Sequence, residues 1–272
     1  MSAITERFGL SVRRACGLIG MNRRTFQYSK KNKDDEVIWK RLEELAKQWN
    51  RWGCPQLHRL LRRERIAINH KRTERIYREA GLTLIKRRRF RKRTGVQRKK
   101  LDRVAQMNQR WSMDFVADSL NDGRRLRVLA ILDEYSRECL AIEVDTSLNG
   151  LRVTHVLDRI ARIRGYPKFI VVDNGPEFAG QVLDEWAYRN GVKLHFIRPG
   201  KPVDNCYIES FNGKFRNECL NEHWFVNITG AREIIENWRI VYNEVRPHSS
   251  LSGLTPAEFA KSQAVKILIN SN

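Results

Sequence analysis

Cysteine is scarce and poorly placed for pairing. The five, Cys16, Cys54, Cys139, Cys206 and Cys219, are odd in number, widely scattered, and form no C-x-x-C pair. A disulfide framework is excluded, and so is a finger-type zinc site, because His58 and His70 do not fall at finger spacing from any cysteine pair. Reduced, partly buried thiols are the reading that remains. Long apolar runs are missing as well. None approaches the roughly 18 residues of a membrane span, and the opening MSAITERFGL lacks the apolar core of a secretory signal. No membrane partner and a cytoplasmic, nucleoid-associated location are expected. Nor is the chain poor in core-forming residues: 41% hydrophobic and 9% aromatic content over 272 residues is enough for one large domain or two smaller ones.

Acidic residues are few in one part of the chain only. Residues 1–110 hold 32 Lys and Arg against 10 Asp and Glu, a surplus of 22, whereas residues 111–272 hold 20 against 21. The whole net charge of +21 therefore lies in the first two-fifths. Such a block attracts a polyanion, of which nucleic acid is the usual one. The charge-balanced remainder has the composition of an enzyme-like globular domain.

The basic part divides further. Ser11 can cap a helix through Ile19 with Val12, Ala15, Cys16 and Ile19 on one face; Gly20-Met21-Asn22 turns the chain, and Asn22 can cap a second helix to about Ser29. This is the helix-turn-helix order over residues 1–33. Arg23 and Arg24 on the second helix are candidates to contact DNA, and Phe26 can pack back on the first; two helices that merely pack together are the plainer alternative. Residues 34–85 predict a second helical unit, with helices at about 37–49, 55–65 and 71–80. Leu57, Leu60 and Leu61 share one face, as do Ile76 and Ala80, while Arg62, Arg63, Lys71, Arg72 and Arg75 are candidates to contact DNA from the other faces. A solvated basic face is the alternative there. Residues 86–104 read as a linker, since ten of the fifteen residues 86–100 are basic, Arg87, Arg88 and Arg89 among them. Laid along a DNA backbone it would displace counterions, giving affinity without sequence preference.

From residue 105 to 272 the texture is that of strands alternating with helices. Arg110–Asp118 alternates with a period of two, and Leu126–Asp133 and Cys139–Asp145 continue a meander. Leu151–Arg164 is an amphipathic helix, residues 168–173 a short buried strand, Ala179–Asn190 a helix closed by Gly191, and Val192–Ile197 a fifth strand; helices follow at 204–222 and 229–245. The order βββαβαβαα is that of the ribonuclease-H-like α/β fold, a mixed five-stranded sheet flanked by helices.

Three carboxylates stand where chemistry can use them. Asp114 lies inside the first strand, Asp173 ends the fourth ahead of a turn at Asn174-Gly175-Pro176, and Glu209 lies early in a helix that Asp204 can cap. Taken singly, Asp173 reads as a turn residue and Glu209 as a solvated one, but a carboxylate in an apolar strand is costly without a partner. If strands one and four are neighbours, the first two converge and the helix can cross beside them. Phosphoryl transfer from DNA needs such a cluster, because the attacked diester is anionic. Two Mg²⁺ ions roughly 3.5–4 Å apart activate the nucleophile and steady the leaving oxygen. They take oxygen ligands, so two or three carboxylates suffice.

Here the chain closely resembles the insertion-sequence transposases of the DDE superfamily, relatives of the retroviral integrases, and most of all the second reading frame of family three. The resemblance is carried by Trp111-Ser-Met-Asp114-Phe, by Val172-Asp173-Asn-Gly-Pro-Glu-Phe178, and by residues 199–220 from Pro-Gly-Lys-Pro through Glu209-Ser-Phe-Asn-Gly-Lys-Phe-Arg to Leu220. Trp238 to His248 and Thr255 to Phe259 fit too, as does the interval from Asp173 to Glu209. The resemblance implies that Asp114, Asp173 and Glu209 are catalytic and ligate two divalent ions, Mg²⁺ with Mn²⁺ as substitute. It implies cleavage at the 3′ ends of an element and transfer of the freed 3′-hydroxyl into DNA, through a circular intermediate. It further implies double-stranded DNA partners, both element ends and target, with self-association on that DNA, and a fusion to an upstream frame. Zinc is not expected, since the paired His and Cys of the integrase zinc domain are absent. Asn205, Glu209 and Gly213 fall on one helical stripe; Asn205 can steady Glu209 or touch substrate, and Lys201, Lys214 and Arg216 can hold the DNA backbone nearby. A DNA-binding regulator or element relic without catalysis, and a nuclease that hydrolyses without joining, remain open.

Overall fold

A computed structural model describes residues 8–26, 35–84, 104–175, 178, 180–197 and 205–270. Its first part is helical: α1 (Val12–Leu18), α2 (Arg23–Phe26), α3 (Asp35–Gln48), α4 (Cys54–Arg63) and α5 (His70–Glu79). Ser11 caps α1 through the Arg14 amide, and Ala15 and Cys16 are buried as the face predicts, but Ile19 is 49% exposed, because α1 stops at Leu18 and Ile19 leaves the stripe. The helices α3, α4 and α5 close on their own core of Leu42, Leu57, Leu61 and Ile76. Val241 and Val245, far along the chain, pack against that same core.

The second part has the expected order: β1 (Arg110–Ser119), β2 (Arg125–Asp133), β3 (Cys139–Asp145), α6 (Gly150–Arg164), β4 (Phe169–Val172), α7 (Gln181–Arg189), β5 (Lys193–Phe196), α8 (Cys206–Glu218) and α9 (Ile228–Glu244), with one further helix, α10 (Pro256–Asn270). The sheet order is β3-β2-β1-β4-β5. Strands β1 to β3 are antiparallel, and β4 and β5 run parallel to β1. Both faces are covered, which is why β2 reads as a nearly continuous apolar run. Period-two alternation divides its residues. Leu129 and Ile131 join Trp111, Met113 and the helices α6 and α7; Val128, Ala130 and Leu132 join Val116, α8 and α9. Side-chain caps fix where the helices begin: Asn149 accepts from the Arg152 amide and Asn227 from the Gly230 amide. Gly165, at φ 79°, ends α6 in a conformation costly for any residue with a Cβ.

Where the C-terminal helices differ from expectation, the cause is local. The helix expected over 204–222 ends at Glu218, and a 3₁₀ turn, Leu220–Glu222, continues it. Residue 204, the expected cap, lies outside the described residues. Asn205 holds the cap position but makes no side-chain cap bond. Among the described residues no helix is long and apolar enough to cross a membrane.

Candidate active site

The parallel pairing of β1 with β4 sets Ser112 against Val171, so two residues further on Asp114 comes level with Asp173. Asp114 faces the α8 side of the sheet, half-buried, opposite Ala130 of β2. Its carboxylate accepts the Phe115 amide at 2.8 Å and the Asn212 side-chain amide at 2.7 Å. Asn212 stands one turn after Glu209 on α8, and Ile208, Phe211 and Phe215 press that helix onto the sheet. Asp173 is held by its own turn, accepting the Gly175 amide at 3.0 Å, while Asn174 donates to the Ile197 carbonyl at 2.8 Å. Below them Phe178 is fully buried and stacks on Phe115 at 4.9 Å.

Negative charge from both other acids reaches Asp114. Burial first, then the negative charges of Asp173 and Glu209, push the Asp114 carboxyl up to about 6, against the opposing bonds from Phe115 and Asn212. Burial also raises Glu209. Among the described residues no group of three or more His, Cys, Asp or Glu side chains is placed to hold a metal ion; Asp114 and Asp173 are level across the β1–β4 pair. The donor set is all oxygen, as a hard divalent cation requires, and a cation among them would relieve the repulsion that raises Asp114.

The remaining site candidates have varied surroundings. Lys214, on α8, is half-buried; its ammonium donates to the Ser210 carbonyl and hydroxyl, and burial lowers it to about 8. Arg216 and Gly213 are exposed on the same helix. Among the described residues no bond joins Asn205 to Glu209: Asn205 is 3% exposed, its Oδ1 has no partner among them, and Glu209 is exposed. Being at the helix start, Asn205 departs from the ideal stripe that predicts the pairing. Arg23 and Arg24 are exposed on α2, as are Arg62 at the end of α4 and Lys71 at the start of α5. Arg63 pairs with Glu258, and Arg72 and Arg75 both bind Asp35. Lys201, Arg87, Arg88 and Arg89 lie outside the described residues.

Sequence reasoning missed Asn212. The only signal for it was its i+3 spacing from Glu209. The stretch from Trp238 to His248 proves to hold α9 in place. Asn243 clamps both the amide and the carbonyl of Cys139 at 2.9 Å, and the buried Arg246 forms a two-pronged pair with Glu218 of α8. His248 meets Tyr242 edge-on at 4.8 Å.

A mixed sheet in this order, covered by helices on both faces and preceded by a compact basic helical unit, defines a ribonuclease-H-like integrase core with a helix-turn-helix-like part. Integrase core domain families match residues 104–202 and 190–256, and the HTH-like domain family matches residues 33–90. The insertion element IS407 uncharacterized 31.7 kDa protein of Burkholderia multivorans is 50% identical over 96% of this chain and 94% of its own. The insertion element IS476 uncharacterized 39.2 kDa protein of Xanthomonas euvesicatoria is 44% identical over 94% of this chain and 74% of its own. Transposase InsD of an Escherichia coli insertion element is 28% identical over 85% of this chain and 80% of its own. Among solved structures, an HTLV-2 integrase catalytic core domain aligns with 56% of this chain and 96% of that one, at 17% identity and a TM-score of 0.46. The chain belongs to the insertion-element transposases of the DDE/integrase superfamily.

Proposed function

We propose that this transposase cleaves DNA at the ends of its element and joins the freed 3′-hydroxyl to target DNA, using Asp114, Asp173 and Glu209 as its catalytic carboxylates. The observation that carries the reading is Asp114: a strand carboxyl pushed up by burial and by the charges of Asp173 and Glu209, at the junction of β1, β4 and α8. Acids gathered at such a cost make chemical sense as the ligands of two Mg²⁺ ions, with Mn²⁺ as substitute. A metal pair supplies an activated oxygen nucleophile and charge neutralisation at the phosphorus. In the first step water attacks the diester and leaves a 3′-hydroxyl and a 5′-phosphate. In the second that hydroxyl attacks a target diester, forming the new bond as the target's own 3′-oxygen leaves with a proton.

The chain's other residues hold and orient. Asn212 fixes the rotation of the Asp114 carboxylate through its 2.7 Å bond. Lys214 and Arg216 face the DNA backbone from α8, and Arg23, Arg24, Arg62 and Lys71 extend the basic surface along the helical part. The partners are the element ends and the target duplex, engaged by more than one copy of the chain, since two ends must be brought together. Family resemblance adds an upstream reading frame as a fusion partner, and the work is done on DNA in the bacterial cytoplasm.

The deciding test is strand joining. A pre-nicked duplex labelled on the strand with the free 3′-hydroxyl is incubated with the protein in Mg²⁺ or Mn²⁺, beside Glu209→Gln. Metal-dependent joined product that disappears in the variant is expected. Cleavage without joining would replace the transfer reading by a nuclease. Binding with neither activity, unchanged when the upstream frame is supplied, would leave a non-catalytic DNA-binding protein.

A further inference from the structure

Glu209 is exposed near the start of α8, so its position depends on what holds that first turn. Ile208 anchors the turn downward into the core. Sideways, the contact comes from the turn between β2 and β3. There the guanidinium of Arg137 lies 3.8 Å from the centre of the Tyr207 ring, two residues before Glu209. This is cation–π distance, with the flat ion over the ring face.

The turn that presents Arg137 is pinned. Asp133 is fully buried; one carboxylate oxygen accepts the amides of Tyr135 and Ser136 at 2.8 and 2.9 Å, and the other accepts the Asn108 amide at 2.8 Å. The Arg137 amide donates to the Asp133 carbonyl at 2.9 Å. Arg137 itself has φ 64°, the left-handed region that favours glycine. An arginine with a packed side chain at such a position marks a place where side-chain use outweighs backbone preference.

Polar groups crowd the same spot. Glu134 is fully buried and accepts Arg110 at 2.7 Å through one oxygen; its other oxygen has no partner among the described residues. Arg137 Nη1, Asn205 Oδ1 and Ser112 Oγ are buried without partners among the described residues too. Ser112 precedes Asp114 by two on the same strand face, and Asn205 begins α8. A buried carboxylate requires nearby positive charge, and Arg110 and Arg137 supply it.

We propose that Arg137 is a positioning residue for DNA strand transfer. Its stacking on Tyr207 and its charge opposite Glu134 set the first turn of α8 and thereby the distance of Glu209 from Asp114. The inference rests on the reading of Glu209 as catalytic. It assigns a role to the β2–β3 turn through its contact with the first turn of α8.

The full chain is compared with Arg137→Ala, Arg137→Lys, Tyr207→Phe and Tyr207→Leu, with Glu209→Gln as control. Joining is measured as kcat and KM for nicked duplex, and Mn²⁺ binding without DNA is read from the paramagnetic signal of the free ion. Arg137→Ala and Tyr207→Leu are expected to lose tenfold or more in kcat, keep KM for DNA within twofold, and bind Mn²⁺ several-fold more weakly. Tyr207→Phe keeps the ring face and stays within twofold of the parent. Arg137→Lys, which keeps charge without the flat ion, falls between. Parent-like kcat and Mn²⁺ affinity in Tyr207→Leu would overturn the proposal, as would a change confined to KM. Thermal melting accompanies each variant: failure of Tyr207→Leu to fold would assign the contact to stability and also overturn it. If Glu209→Gln joins strands normally, the reading of Glu209 itself falls; if it is inactive while the turn variants are normal, only the positioning role falls.

Discussion

At the scale of the residue, Asp114 costs stability where it stands. A carboxyl raised from 3.8 to about 6 favours the folded state in its protonated form. That contribution is complete only below 3.8 and is lost as the pH climbs from there through 6. Without metal, Asp114→Asn is therefore expected to melt above the parent at pH 7.5, by on the order of 2 kcal/mol, and to match it only below pH 3.8. Added Mg²⁺ should stabilise the parent alone. Equal melting at pH 7.5 would show that the acids do not strain the fold. His248 shifts the other way, its burial lowering the imidazole to about 3. An unfolded chain takes up that proton below 6.5 and the folded one does not, so stability is present above 6.5 and lost as the pH falls. Urea titrations at pH 7 and pH 5 should show a smaller loss in His248→Gln than in the parent; an identical loss would place the titration elsewhere. Asp114 was legible as a candidate because a carboxylate in an apolar strand is hard to explain otherwise. Asn212 and Arg137 were not, since their roles depend on which strand lies beneath α8 and on one left-handed turn.

At the scale of the element, periodicity placed the five strands and the helices up to α9 within a few residues, because alternation and amphipathic spacing are local properties of the chain, but α10 was not expected. The packing of α8 against α9 was not local. Glu218 and Arg246 stand 28 positions apart, with side chains 8% and 7% exposed, and bond twice at 2.6 and 2.8 Å. Removing one partner of a buried pair strands the other charge, which costs roughly 3–5 kcal/mol. Arg246→Ala should lower the free energy of urea unfolding by about that much, and replacing both residues by leucine should recover most of it. A loss below about 1 kcal/mol in the single variant would mean that water reaches Glu218.

At the scale of the molecule, the charge asymmetry was plain in the sequence, but not which arginines are already engaged. Arg63, Arg72 and Arg75 are tied to Glu258 and Asp35, so reaching phosphate means exchanging or sharing those partners. No local pattern could reveal this, since Glu258 is 195 positions from Arg63. The basic block still predicts a steep salt dependence of DNA binding. A log–log slope steeper than about −3 is expected, corresponding to four or more neutralised phosphates. A shallower slope would show that the block does not lie on the backbone.

The helical part and the core are also fastened to each other. Arg51 and Asn50 hold Glu222, Trp52 reaches Glu218, and Val241 and Val245 complete the core of α3, α4 and α5. Cutting the chain between residues 84 and 104 would therefore not yield two finished halves. The larger fragment would bare two valines and leave Glu222 and Glu258 without their arginines. Cut just before residue 104, it would hold 21 basic against 21 acidic residues and have no net charge to keep its copies apart. Such a fragment is expected to precipitate at concentrations where the whole chain stays dissolved, and the remedy lies in recolouring the surface of α9 rather than in moving the cut.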